Sequence, residues 1–424
     1  MVVTLLFLGV VPLLGSGAYS DKSGSNISSS ASAQMYPAPL SYAAGPANSP
    51  TCSTTALCPD ALANAYEFTS LIKSGTDGKG QTIVIVDACG DPNLTSDLTG
   101  FDAEFNLPNP VLDINYFEGL PTNQKCISAW SGEVALDVEW SHVVAPRAKI
   151  DLLVTINPGA YEMYAAWTYA LRNNLGNQIT NSWGGSGCNI VGCNNTIGEG
   201  IGPCTLTNGT QGVNVPKILR QAAAQRVSVL VASGDSGAYG LGTKQEESVP
   251  SDCNGVLVVG GTRLNVTSSG KYLGEVGWKD SGGGYMTAPK EPSYEKIAKI
   301  NDSYGTLAIP TVSADASCGS PVWTLIEGGW YLICGTSLAS PLWAGFMADV
   351  NQIRAGNNLS PAGFVNPFLY TVVYINSNLY KKDFHDITQG NNGWPAGPGW
   401  DAVTGLGSFN APNLAETLGD AKGA

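Results

Sequence analysis

Three short segments carry side chains whose types and spacing can do chemistry. Gly335-Thr336-Ser337-Leu338-Ala339-Ser340-Pro341 opens a long helical pattern with small residues. A serine there has free backbone N–H groups and the positive end of the helix dipole beside it, which favour a developing oxyanion. Glu133 and Asp137 are spaced i,i+4, so one helix face carries both carboxylates. Like charges at that spacing repel, one pKa rises, and a raised carboxyl is what a general acid or base needs. Asp235, within Ser233-Gly234-Asp235-Ser236-Gly237, directly follows an apolar strand pattern. Open α/β sheets place their sites at such strand ends. Each signal also has an ordinary reading: Ser337 as a helix cap, the carboxylate pair as a solvated helix face, Asp235 as a turn former. Glu139 is a third acid close by, but it lies round the helix from the other two.

Elements that would hold these groups are legible from the hydrophobic pattern. Residues 81–88, 148–156, 178–183, 227–233 and 255–260 read as buried strands. Residues 131–144, 161–173, 215–226 and 335–354 read as helices between or after them. Strands apolar on both faces, alternating with helices, predict an α/β fold with a mostly parallel sheet covered on both sides. No internal repeat is visible, and one domain from about residue 56 to 424 is the simplest division.

Composition narrows the setting. Charged residues are only 13%, against a usual share of about 25%. The formal net charge is −13, yet there are only 21 Lys plus Arg. In strong acid the carboxylates are neutral, and few basic groups then mean little self-repulsion, an acid-tolerant balance. A neutral extracellular protein rich in small polar residues would look similar. No basic run is present to meet phosphates, so a nucleic-acid partner is not expected. The ten cysteines include no C-x-x-C, and His142 and His385 are the only histidines, which favours disulfides over zinc. Cys52 with Cys58 and Cys318 with Cys334 are plausible local pairs. Sequons at Asn26, Asn93, Asn194, Asn208, Asn265, Asn301 and Asn358 agree with export. The apolar run at 2–14, followed by Ser16-Gly17-Ala18, reads as a signal peptide over 1–18; an uncleaved membrane anchor is the alternative. Residues 19–55, rich in Ser, Ala, Pro and Gly, read as a linker or an N-terminal arm.

Taken in order, the segments resemble the sedolisins, the serine-carboxyl peptidases. The resemblance runs from Cys58-Pro59-Asp60-Ala61-Leu62 and Ala65-Tyr66-Glu67-Phe68 through residues 83–107, Ser182-Trp183-Gly184 and the Asp235 loop. It continues with Val259-Gly260-Gly261-Thr262, Ser281-Gly282-Gly283-Gly284, Ser313-Ala314-Asp315 and the Ser337 segment. It implies a subtilisin-like catalytic domain and a secreted endopeptidase acting in acid on proteins or peptides, with no stable partner and a monomeric state. The implied roles are Ser337 as nucleophile, Glu133 as its base, Asp137 as the acid that orients Glu133, and Asp235 as the oxyanion-hole acid. Ser182, Trp183 and Gly184, with Ser281, Gly282 and Gly283, are implied to hold substrate backbone. Tyr285-Met286 departs from the Phe-Ser usual after the glycines, which touches a side-chain pocket and not the chemistry.

The resemblance also implies one structural calcium ion in the segment at about 383–410, bound by the Asp386 and Asp401 carboxylates and the carbonyls of Ile387, Gly397 and Gly399. Calcium takes six or more oxygens, in part from glycine-rich backbone. A Ser-His-Asp triad is the rival within the class. Asp87 ends the first strand where such an acid would sit, but neither His142 nor His385 lies in a suitable turn. Such peptidases usually carry a long N-terminal prodomain that blocks the site, and about 55 residues precede the catalytic region here. A catalytically inactive binding homologue and a carboxylate-pair glycosidase remain as readings from other classes.

Overall fold

The computed structural model of the chain describes residues 34–37, 41–186, 214–243, 248–300 and 303–422. The segment expected as a signal peptide (1–18), four of the sequons (Asn26, Asn194, Asn208, Asn301) and Cys188, Cys193 and Cys204 lie outside the described residues. No described helix is long and apolar enough to cross a membrane.

The strands, in chain order, begin with β1 (Tyr36–Pro37), β2 (Ser41–Ala47), β3 (Thr82–Ala88), β4 (Leu112–Asn115), β5 (Lys149–Thr155), β6 (Gln178–Asn181) and β7 (Trp183–Ser186). Next come β8 (Ser228–Ala232), β9 (Ser248–Val249), β10 (Leu257–Val266), β11 (Tyr272–Gly277) and β12 (Gly284–Lys290). Then follow β13 (Thr306–Ile309), β14 (Val312–Asp315), β15 (Val322–Ile326) and β16 (Gly329–Cys334).

The main sheet has the order β11-β10-β8-β6-β3-β5-β4, with β14 also paired to β10. Every neighbour pair in it is parallel except β10 with β11. Two-sided burial explains the apolar runs. Along β3, Ile83 and Ile85 enter one core while Val84, Val86 and Ala88 enter the other, so successive side chains serve opposite layers. The helices Gln124–Val144 and Thr336–Gly356 pack together on the first side. Ala160–Asn173 and Val215–Ala224 cover the second.

Two elements differ from the sequence expectation. Residues 178–183 form not one strand but two, parting at Ser182, because β7 leaves the main sheet for a small one of order β1-β7-β9. The Trp183 indole accounts for the break: it is buried and donates to Val86 O at 2.8 Å. Part of the low-complexity arm is also a strand, β2, which pairs antiparallel with β16. Its residues are mostly exposed, so backbone pairing and not a hydrophobic pattern holds it.

Disulfides bracket the elements that matter below. Cys89–Cys126 ties the end of β3 to the first turn of the Gln124–Val144 helix, and Cys318–Cys334 ties the loop after β14 to the residue before Gly335. Cys52–Cys58 closes a short loop before the first helix.

Candidate active site

The Gln124–Val144 helix starts at Asn123, whose side chain accepts from the Lys125 and Cys126 N–H groups. From Trp130 to Val144 it is buried all round, so the alternative reading of a solvated carboxylate face does not hold. Glu133 and Asp137 are both fully buried. Burial pushes the Glu133 carboxyl well above its usual range, and the carboxylates of Asp137, Asp87 and Asp235 push it further. Ser337 offsets this only in part: its hydroxyl lies near enough to stabilise the Glu133 anion, but neither group makes a well-formed hydrogen bond. Asp137 is likewise raised, first by burial and then by Asp87, with the Ser182 hydroxyl acting in the opposite sense.

Ser182 joins the two helices. Its Oγ donates to Asp137 Oδ1 at 2.8 Å and lies 3.3 Å from the Ser337 carbonyl oxygen. The break between β6 and β7 thus turns Ser182 inward onto the site. Ser337 sits in the first turn of the Thr336–Gly356 helix and is wholly buried.

Asp235 approaches the same turn from the end of β8. Its Oδ1 accepts from Thr336 N at 2.8 Å and from Thr336 Oγ1 at 2.7 Å, while Gly234 N donates to Thr336 Oγ1 at 3.0 Å. The other oxygen, Oδ2, is shut off from solvent and has no partner. Desolvation raises the Asp235 carboxyl to about 6, the two Thr336 donors notwithstanding. Gly335 is required here: its φ is 143°, and a Cβ would lie 2.5 Å from Asp235 Oδ2.

Asp87 is the residue that sequence reasoning placed in the wrong company. Its carboxyl is buried without a partner, is raised to about 7 by burial, and acts electrostatically on both Glu133 and Asp137. No histidine stands beside it among the carboxyls acting on Glu133. His142 Nε2 lies 3.2 Å from Asp102 Oδ1, and the His385 ring stacks on Tyr272 at 4.1 Å. An acid at the carboxyl end of a central buried strand was the available signal.

The remaining expected residues divide. Trp183 and Gly184 lie on β7, beside Ser182. Ser281, Gly282 and Gly283, expected to hold substrate backbone, are buried and brace the Asp235 loop from behind. Gly282 N donates to Gly234 O at 2.7 Å, and Ser281 Oγ donates to Val403 O at 3.0 Å. The glycines allow this close approach: a Cβ on Gly282 would lie 2.1 Å from Ser233 O, and one on Gly283 would lie 2.1 Å from Ala402 O.

For the expected calcium ligands, Asp386 and Asp401 both reach the glycine loop. Gly399 N donates to Asp386 Oδ1 at 3.0 Å, and Gly397 N donates to Asp401 Oδ2 at 3.1 Å. Asp401 also accepts from Val403 N, Thr404 N and Thr404 Oγ1. No group of three or more His, Cys, Asp or Glu suited to a metal occurs among the described residues. The set fits a hard cation only as two carboxylates on one loop, completed by carbonyls such as those of Ile387, Gly397 and Gly399.

Known proteins resemble this chain in sequence and in fold. A family model described as the subtilase family matches residues 123–383. Kumamolisin from Bacillus sp. (strain MN-32) is 32% identical over 399 residues, covering 88% of this chain and 65% of that protein. Sedolisin from Pseudomonas sp. (strain 101) is 32% identical over 220 residues, 47% of this chain and 36% of that one. Bovine (Bos taurus) tripeptidyl-peptidase 1 is 28% identical over 309 residues, 68% and 51% of the two chains. The chain therefore spans less than two thirds of the length of these relatives. In fold it is similar to Pseudomonas sedolisin, a serine-carboxyl proteinase solved with pseudo-iodotyrostatin: TM-score 0.71 at 24% identity, over 87% of this chain and 99% of that one. With its mostly parallel sheet, its Ser337 helix and the matched span between residues 123 and 383, the chain belongs to the subtilase family.

Proposed function

We propose that this protein is a secreted, acid-acting serine-carboxyl endopeptidase that cleaves peptide bonds through an acyl-enzyme on Ser337. The observation that carries the reading is the convergence of Ser337 and Glu133 with the acids Asp137, Asp87 and Asp235 in one buried cluster. A carboxylate is a weak base in water. In a dry site, surrounded by other acids, its proton affinity rises into a useful range.

In this scheme Glu133 takes the Ser337 proton as Oγ attacks the substrate carbonyl carbon. Asp137, held by Ser182, keeps Glu133 oriented and shares its negative charge with Asp87. The protonated Asp235 donates to the tetrahedral oxyanion through the oxygen that has no partner in the resting structure, Oδ2. Glu133 then returns the proton to the leaving amine, the C–N bond breaks, and water repeats the cycle on the acyl ester. Trp183 and Gly184, whose backbone pairs with β1 in this structure, would present the same strand edge to substrate.

A calcium ion held by Asp386 and Asp401, with carbonyls of Ile387, Gly397 and Gly399, would neutralise two carboxylates on a glycine-rich loop and so serve stability. The disulfides favour export to an oxidising compartment. Protein or peptide is the expected substrate, and a monomer the expected state.

The test is digestion of denatured protein in acid by the purified chain and by Ser337→Ala, with oligosaccharides as control substrate. The expected result is peptide cleavage that falls on the order of 10⁴-fold or more in Ser337→Ala, with the melting midpoint retained. Near-native turnover by folded Ser337→Ala overturns the nucleophile. Cleavage of the oligosaccharide alone would favour a glycosidase, and binding without hydrolysis of either would favour an inactive homologue.

A further inference from the structure

The loop that leads into β3 meets the helix of Ser337 far from Ser337 itself. Asp349 lies further along the Thr336–Gly356 helix, about 18 Å from Ser337 at 1.5 Å per residue. It is wholly buried, and neither of its carboxyl oxygens has a well-formed partner. Asp77 reaches the same place from the loop; it is buried too, and its Oδ1 has no partner. From this we infer that Asp77 and Asp349 share one proton, which clasps the loop to the helix in acid and releases it toward neutrality. Two buried carboxylates repel when both are ionised, whereas a carboxyl that donates to a carboxylate satisfies both.

Neutral groups already pin the loop beside the pair. Gln352, one turn on from Asp349, accepts from Asp77 N at 2.8 Å and from Lys79 N at 3.1 Å, and its amide donates to Gly75 O at 2.7 Å. Arg147 N donates to Asp77 O at 2.8 Å. Gly78 makes the close approach possible: its φ is 78°, and a Cβ there would lie 2.7 Å from Ala145 Cβ. A metal ion suits the pair less well than a proton. A hard cation takes six or more oxygens. The carbonyls of Gly75, Asp77 and Gly78 already accept from Gln352, Arg147 and Gln81, and Gln352 Oε1 accepts from two N–H groups. Among the described residues no third His, Cys, Asp or Glu completes a metal site.

The electrostatics agree with the geometry. Burial pushes the Asp349 carboxyl well above its usual range, and the Asp77 carboxylate pushes it further, with the Gly78 N–H acting in the opposite sense. Charged groups on the neighbouring elements are engaged elsewhere. On the Gln124–Val144 helix, His142 pairs with Asp102 and Glu139 accepts from Leu325 N, while Glu133 and Asp137 belong to the Ser337 site. On the Ala411–Asp420 helix, Glu416 pairs with Lys382 and Asp420 accepts from Asn357. Arg354 donates to the Ser360, Leu418 and Ala421 carbonyls, and Lys79 and Arg147 are exposed. A carboxyl raised by folding stabilises the folded state fully below its unfolded value of about 3.9, and that contribution is lost as pH rises through the folded value. The clasp is therefore closed in acid.

The test is hydrogen exchange read by mass spectrometry between pH 4 and pH 7, corrected for intrinsic rates, on Ser337→Ala protein so that self-digestion does not intrude. Protection of residues 75–80 is compared with that of β8. In this parent, loop protection should fall at least about 10-fold over the range, while β8 changes less, since each pH unit between the unfolded and folded values costs about tenfold. Asp349→Asn, whose amide donates to Asp77 at any pH, should keep the loop protected throughout. Asp77→Asn repeats the comparison if Asp349→Asn does not fold. Loop protection that ignores pH in the parent, or that falls as steeply in the folded amide variants, overturns the inference. An equal fall in β8 also overturns it, because the whole fold would then be loosening. Recovery of protection at pH 7 in the loop alone, on adding calcium chloride, would assign the pair to a metal ion and overturn the shared proton.

Discussion

Two glutamates, the fully buried Glu133 and the half-buried Glu275, show opposite uses of a carboxylate. Glu275, on β11, accepts from Tyr66 OH at 2.6 Å and Thr262 Oγ1 at 2.5 Å through one oxygen, and from Tyr272 OH at 3.2 Å and Ser408 Oγ through the other. The Tyr66 hydroxyl also accepts from Asp315 N at 2.8 Å, so the network ties β11 to β10 and β14. Glu133 has no well-formed partner on either oxygen, and its charged neighbours are acids. A satisfied anion fixes structure and has nothing left to react with. An unsatisfied one is costly to bury and holds its proton avidly, which suits proton transfer.

Exchanging each glutamate for its amide should separate these roles. Glu133→Gln should lower kcat/KM about 10³-fold, the scale of a lost general base. The same change should raise the melting midpoint at neutral pH, because the cost of burying a carboxyl that ionises freely in the unfolded chain is gone. Glu275→Gln should leave kcat within a few-fold but lower stability by about 1–3 kcal/mol, since an amide N–H₂ then faces hydroxyl donors. Parallel kinetics and melting scans of the two variants check this; matching effects of like sign would erase the distinction.

The cluster as a whole should make stability depend on pH. Asp235 and Asp87 hold their protons to about 6 and about 7. In the unfolded chain an aspartate titrates near 3.9. The folded state thus binds more protons between those values, so the stability from these neutral carboxyls is complete below about pH 4 and is lost as pH rises through 6 to 7. The melting midpoint should be higher near pH 4 than near pH 7, and the gap should shrink in Asp87→Asn. A midpoint that climbs steadily toward neutrality would contradict this.

A smaller effect is expected at the glycine loop. Chelation should lower the midpoint by a few degrees near neutral pH and less in strong acid, where protons already compete for the same oxygens. Asp401→Ala should mimic chelation and make the protein indifferent to it. Native protein that carries no calcium by metal analysis, and a midpoint that ignores chelator, would remove the ion from the account.

Much of the fold was readable because two-sided burial leaves continuous apolar runs, as in Ile83–Val86 and Val229–Val231. The i,i+4 spacing correctly put Glu133 and Asp137 on one helix face, although that face is interior and not solvated. What the pattern could not carry was backbone pairing. Nothing in the composition of β2 distinguishes a linker from a strand, since its side chains are mostly exposed and its hold is main-chain hydrogen bonding. The turn of Ser182 out of β6 was hidden too, because Gln178–Trp183 contains no Gly or Pro to mark a break. The role of the SGGG run is not legible in its composition, for a physical reason: glycines that let a substrate approach and glycines that let two loops approach look alike.

The central claim, that a carboxyl and not a histidine governs the reaction, is tested most directly by the pH dependence of kcat/KM for the parent chain and Asp235→Asn on one peptide substrate. In the proposed scheme Asp235 donates to the oxyanion only while protonated, so the parent rate should peak in acid and fall as pH rises through about 6. In Asp235→Asn, whose amide donates at any pH, the rate should be lower but that alkaline fall should shift or vanish. An optimum near neutrality, with a limb of histidine type unchanged by Asp235→Asn, would contradict the account.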